Sequence, residues 1–96
     1  MNLGRETETL EFKKSTGELK EGIISIGAIL NKHQKGELYF GVRPDGTPIG
    51  QEISEKTLRD ISQAISNHIE PQIFPEIQTV RIDGKAVSYT HLRAHE

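Results

Sequence analysis

The sequence predicts an α/β (α+β) fold, a two-layer sandwich in which two helices cover one mixed sheet in the order β-α-β-β-α-β-β. Three observations predict it. Several short stretches alternate apolar and polar residues with a period of two, and two longer ones repeat apolar residues every three to four positions. Turns rich in Gly, Pro and Asp separate these stretches. At 96 residues the chain makes one domain at most, which excludes a two-domain enzyme. A domain of this size buries roughly 60 to 65% of its unfolded surface, so its core is thin.

Each element has a local reason. From Thr9 to Lys13, Leu10 and Phe12 fall on one side and Thr9, Glu11 and Lys13 on the other, the period of a half-buried strand. Ser15 with Glu18 three residues later fits a capping box. Leu19, Ile23, Ile26 and Leu30 then recur at i, i+4, i+7 and i+11, so a helix is expected over residues 16–31. Its other faces carry Ile24, Ala28 and Ile29, and Gly22 and Gly27 permit close approach, which predicts cover on more than one side. The polar segment His33 to Gly36 ends the helix at glycine. Leu38, Phe40 and Val42 then alternate with Tyr39 and Gly41 as a second strand.

Pro44-Asp45-Gly46 is turn chemistry, and Pro48-Ile49-Gly50 is expected to return as a third strand, held to an edge by Pro48. Ser54 caps the second helix, Ile53 and Leu58 form a staple, Leu58, Ile61, Ile65 and Ile69 make its core stripe, and Pro71 stops it. Ile77 to Ile82 and Lys85 onward read as a final hairpin around Asp83-Gly84.

Composition narrows the function. The absence of cysteine excludes a disulfide scaffold, a thiolate metal site and cysteine catalysis. The chain has no 18-residue apolar run and no apolar stretch of signal-peptide length after Met1. A cytoplasmic protein without a membrane partner is therefore expected.

The natural domain is expected to span residues 6–86. Val87 to Glu96, VSYTHLRAHE, reads codon for codon as the translation of a transposon-end adapter used to prepare sequencing libraries. Residues 87–96 are accordingly expected to be a non-native tail that interrupts the last strand, and the chain an N-terminal fragment. His91 and His95, spaced like helical metal ligands, are discounted for the same reason. Without Arg93 and Glu96, 11 basic residues face 13 acidic ones, and the net charge stays at −2.

Glu11-Phe12-Lys13, the helix end Ile26-Gly27-Ala28-Ile29-Leu30-Asn31, and Gly36-Glu37-Leu38-Tyr39-Phe40-Gly41-Val42 followed by Asp45-Gly46 and Ile49-Gly50 together resemble the Alba-like (AlbA-2) domain of Schlafen proteins. The resemblance covers Glu6 to Ala86. It implies a nucleic-acid (DNA) binding domain of a bacterial transcription-regulator-like protein, fused to a separate C-terminal region, in some members ATPase-linked. Two departures stand out. Lys35-Gly36 replaces the usual glycine pair, and Asn31-Lys32-His33-Gln34 is longer and more basic than the common form.

Under this resemblance the binding residues are Lys13, Lys14, Lys32, His33, Lys35 and Arg43, with DNA preferred to RNA and no cofactor. The charge asymmetry behind them is slight, +1 over residues 1–43 and −3 over residues 44–86, where a dedicated nucleic-acid domain is often strongly basic. Lys32 and Lys35 also suit a helix C-terminus on electrostatic grounds alone.

The resemblance also implies an enzymatic alternative, a metal-dependent ribonuclease whose carboxylates would be Glu6, Glu11 and Asp45, holding one or two divalent metals. Glu6 and Glu11 differ by five and point to opposite faces on a regular strand, so a break near Thr7 is required. A third alternative is an interaction domain, in which Ile24, Ala28 and Asn31 make a homodimer or dock on the C-terminal region. Gly41 to Gly46 lacks the Lys and Ser/Thr of a phosphate loop, and neither His33 nor His68 has a partner at catalytic spacing.

Overall fold

The computed structural model describes residues 2–69 and 75–93. The elements are β1 (Leu10–Lys13), a 3-10 turn (Thr16–Glu18), α1 (Leu19–His33), β2 (Lys35–Phe40), α2 (Glu55–His68), β3 (Glu76–Ile82) and β4 (Lys85–Arg93). The strands form one sheet in the order β1-β2-β4-β3. β1 and β2 are parallel and joined through α1, while β2–β4 and β3–β4 are antiparallel, so the sheet is mixed and the α+β class holds.

The core divides between the two faces of the sheet. On the helix side, Leu38, Phe40 and Leu92 meet Ile23, Ile26 and Leu30 of α1 and Ile61 and Ile65 of α2, all buried. On the other side Phe12, Val42, Ile82 and Val87 form a second cluster, flanked by Leu3, Leu10, Tyr39 and Val80. Pairing sorts the first strand. Glu11 and Lys13 stand opposite Leu38 and Phe40, while Phe12 stands opposite Tyr39. The polar side of β1 therefore faces the helix layer at the sheet edge, and Phe12 fills the second cluster.

Ser15 caps the 3-10 turn, its hydroxyl accepting from Gly17 N–H at 3.0 Å, and Glu18 closes on Lys14 N–H at 3.2 Å rather than on Ser15. The capping chemistry is present but displaced by one residue, which is why the α-helix proper starts at Leu19. At its far end the helix stops at Gln34, in the left-handed region with φ 69°, not at Gly36.

Gly36 is already inside β2, and its role is packing. A Cβ there would lie 2.6 Å from Ile26 Cδ1 and 2.9 Å from Ile29 Cγ2. Gly36→Ala is expected to destabilise the fold by about 1–3 kcal/mol, the usual effect of overpacking, measurable by urea unfolding. Gly22 similarly admits Phe40, whose Cζ would be 3.0 Å from a Cβ, whereas Gly27 has ordinary room.

The return arm after Gly46 is shorter than the sequence predicts. It makes one bridge, Val42 with Pro48, and hydrogen bonds from Ile49 and Gly50 N–H to Gly41 O, and then leaves the sheet. Pro48 has no N–H to continue a ladder. α2 begins as expected at Ser54, whose side chain exchanges hydrogen bonds with Thr57 in a capping box. Its last helical residue is His68, and Pro71 lies outside the described residues.

α1 is less covered than its composition predicts. Ile24 is 56% exposed, and Ala28 and Asn31 are exposed beside it. β4 runs unbroken to Arg93, past residue 86 where an interruption was expected, because Val87, Tyr89, Thr90 and Leu92 are good strand residues. His95 is outside the described residues. No helix among the described residues is long and apolar enough to cross a membrane.

Candidate functional site

The β1-α1-β2 crossover sorts the expected basic residues into two groups. Lys13, Lys14 and Arg43 leave the carboxyl ends of the parallel strands, and their backbones are adjacent because Gly41 N–H and Val42 N–H both donate to Lys13 O, at 2.8 and 3.1 Å. Lys32, His33 and Lys35 sit at the opposite end, where α1 hands over to β2. The five-residue rise along β2 separates the groups by roughly 17 Å. They do not line one groove.

Within each group the charges differ in availability. Lys13 Nζ is 3.3 Å from Glu11 Oε2, and both side chains are about one-fifth exposed, so this cation is already engaged. Lys14 and Arg43 are exposed and make no ion pair within 4.0 Å among the described residues. Arg43 stands near Asp45 and helps hold its carboxyl low, after the larger effect of hydrogen bonding from Thr47. His33 Nε2 is 3.8 Å from Glu8, while Lys32 and Lys35 are exposed and without an ion pair among the described residues.

The amides of the 3-10 turn that leads into α1 are already engaged. Thr16 N–H donates to Gln51 Oε1, and Gly17 and Glu18 N–H donate to Ser15. Gln51 also returns its amide N–H to Thr16 Oγ1 at 2.9 Å and binds Ala86 O through its backbone. This tether fixes the Lys14 loop against the segment after the hairpin. A glutamine in a loop gives no such signal in the sequence.

The carboxylates assemble in part. Thr7 and Leu10 exchange backbone hydrogen bonds across a tight turn, which supplies the break that the Glu6–Glu11 spacing requires. The reversed chain lets Glu6 Oε2 accept from Phe12 N–H at 2.9 Å and brings it against Glu11. Burial, then the Glu6 charge, raise the Glu11 pKa above the usual glutamate range, against the opposing pull of Lys13. Asp45 is elsewhere, its Oδ1 accepting from Thr47 N–H at 3.0 Å in the exposed turn. Among the described residues no three acidic or histidine side chains gather as a metal site.

Ionised Glu11 is therefore a net cost to the fold. That cost is fully present above the raised pKa and disappears as pH falls through it toward the ordinary value of 4.5. Glu11→Gln is expected to raise the thermal midpoint at pH 7, with the gap over the parent closing as the pH is lowered into the carboxylate range. Melts across pH 3.5–7.5 check it.

On the sheet face away from the helices, Tyr39 and Tyr89 pack at 4.9 Å between ring centroids, and Tyr89 OH donates to Glu37. A cleft of about 190 Å³ lies beside them, lined by Thr9, Lys35, Gly36, Glu37, Tyr89 and His91. Reading Tyr39 as part of a strand's alternation does not reveal this cleft, because it exists only once β4 pairs with β2. His68 bonds Ala64 O at 2.9 Å on the exposed face of α2 and takes no part in either group.

The profile of the family described as Schlafen, AlbA_2 matches residues 6–95. No curated protein matches the chain.

Proposed function

We infer that this chain, which belongs to the Schlafen AlbA_2 family, is a nucleic-acid-binding domain of a bacterial transcription-regulator-like protein, acting on duplex DNA through phosphate contacts and without a cofactor. The observation that carries the reading is the pair Lys14 and Arg43. Both leave the carboxyl ends of two parallel strands, the position where open α/β sheets bind ligands, and both are exposed cations without an ion pair among the described residues. Lys32 and Lys35 form a second contact point roughly 17 Å further along, too far for one pocket and too far for neighbouring phosphates of one strand, so the two groups would meet phosphates several positions apart.

Each lysine or arginine that neutralises a phosphate releases counterions, so the slope of log affinity against log salt should shrink by about 0.9 for each one removed. Lys14→Ala and Arg43→Ala are expected to show this shift on any duplex sequence. Lys13→Ala should show much less, because Glu11 already neutralises it, and Arg59→Ala on the exposed face of α2 should show almost none. With a net charge of −2, binding by one chain is expected in the range of ~10⁻⁴ to 10⁻⁶ M. Titrating a labelled duplex and a labelled RNA hairpin at two salt concentrations tests it. No binding to either by folded protein at low salt would end the reading, and tighter binding to the hairpin would reassign it to RNA.

A second reading, the metal-dependent ribonuclease, is favoured by one observation, the apposition of Glu6 and Glu11. The donor set does not fit a metal centre, since Lys13 already sits on Glu11 and Asp45 is held in its own turn.

A further inference from the structure

The two edges of the sheet are finished differently. At the β1 edge three outward backbone groups are taken. Leu10 exchanges hydrogen bonds with Thr7, and Phe12 N–H donates to Glu6. At the β3 edge, among the described residues, no hydrogen bond reaches the outer side of Glu76–Ile82.

The turn geometry says which groups point outward there. Asp83 and Gly84 both have positive φ, 53° and 77°, the signature of a two-residue type I′ hairpin turn, so the flanking pair Ile82–Lys85 is a hydrogen-bonded one. Hydrogen-bonded and non-bonded pairs then alternate, which makes Glu76, Gln78 and Val80 bond inward to β4 and turns the N–H and C=O of Ile77, Thr79 and Arg81 outward. The other side of β4 agrees. Ala86, opposite Arg81, spends its carbonyl on Gln51 N–H.

We propose that this edge pairs with a second copy of the chain, β3 against β3, antiparallel about a two-fold axis through Thr79. This register places Thr79 opposite Thr79 of the partner subunit and Ile77 opposite Arg81 of the partner subunit, so every outward N–H and C=O of the strand finds a partner at once. A shift by two residues toward the N-terminus would spend Pro75, which has no N–H. Identical strands satisfy this arrangement without further design, and an isologous interface closes at two copies.

The side chains do not oppose it. Glu76 meets Ile82 of the partner subunit, so like charges never face each other. Arg81 Nη1 is turned back to Gly84 O at 2.9 Å in its own hairpin. Glu76–Ile82 contains neither lysine nor proline, two residues that commonly guard an exposed edge. The inference is independent of the nucleic-acid reading.

Light scattering on the eluting protein tests it, at high micromolar concentration because an edge contact is a small interface. The mass should rise toward twice the 10.8 kDa of one chain. Thr79→Pro removes one outward N–H without touching a β3–β4 bond and should return the mass to one chain. Thr79→Lys, which sets two like charges across the axis at an exposed site, should do the same, and Thr79→Val should leave the dimer intact. Far-UV circular dichroism and the thermal midpoint verify that each variant is folded. A single-chain mass for the parent over the whole concentration range, or a dimer that survives folded Thr79→Lys, would overturn the proposal.

Discussion

Replacing Phe40 by alanine is expected to lower the stability by about 3–5 kcal/mol, the cost of removing a buried aromatic ring and leaving a cavity. Phe40 is fully buried between α1 and the sheet, and its ring fills the space that Gly22 leaves open. Domains of this size have on the order of 5–14 kcal/mol in total, and each kilocalorie moves the midpoint by about 4–8 °C. A fall of more than about 12 °C is therefore expected, with loss of cooperativity if the second cluster around Phe12 outlasts the first. A thermal melt followed by circular dichroism reads it. A fall of less than about 4 °C would mean that the helix layer collapses onto the sheet without Phe40.

The opposite sign is expected on β4. Ser88 and Thr90 are fully buried, on the helix-facing side opposite Phe40 and Leu38, and among the described residues neither hydroxyl has a hydrogen-bond partner. An orphaned buried hydroxyl costs about 1–3 kcal/mol. Ser88→Ala and Thr90→Val remove it with almost no change of shape, so each should stabilise the chain by about 1–3 kcal/mol, and the double variant should gain more than either alone though, as the two are same-face neighbours, not strictly their sum. Urea unfolding of the single and double variants measures this. No gain in either would place a buried water or an alternative rotamer at those hydroxyls.

These two positions bear on the origin of the strand. We propose that residues 87–96 are adapter-derived and that the natural strand carries aliphatic residues where Ser88 and Thr90 now stand. The unpartnered hydroxyls support this, since a strand shaped with its core seldom places two of them under a helix layer. Amplifying the locus from source DNA and finding the same ten codons would refute it. Pairing by itself says nothing of origin, because Val, Tyr, Thr and Leu form strands whatever encoded them.

The sequence by itself determined the helices, the first and second alternating runs and the final pair, and the position of most core residues. These depend on periodicity and caps, which are local: Ile23, Ile26, Leu30, Ile61 and Ile65 are buried where their spacing puts them, and Ser54 caps α2. It also determined that Glu6 and Glu11 could meet only across a break near Thr7. The tertiary structure decided what no local pattern encodes. It sent the two lysine groups to opposite ends, because a parallel crossover returns the chain to the start of the next strand after a full helix. It reduced Pro48–Gly50 to one bridge, because β4, distant in sequence, takes the place beside β2. It turned Phe12 away from the helices, because parallel pairing with β2 sets Glu11 and Lys13 opposite Leu38 and Phe40. Strand order and register come from long-range pairing, in which each strand competes for the same edge, and a residue's own neighbours do not record who wins.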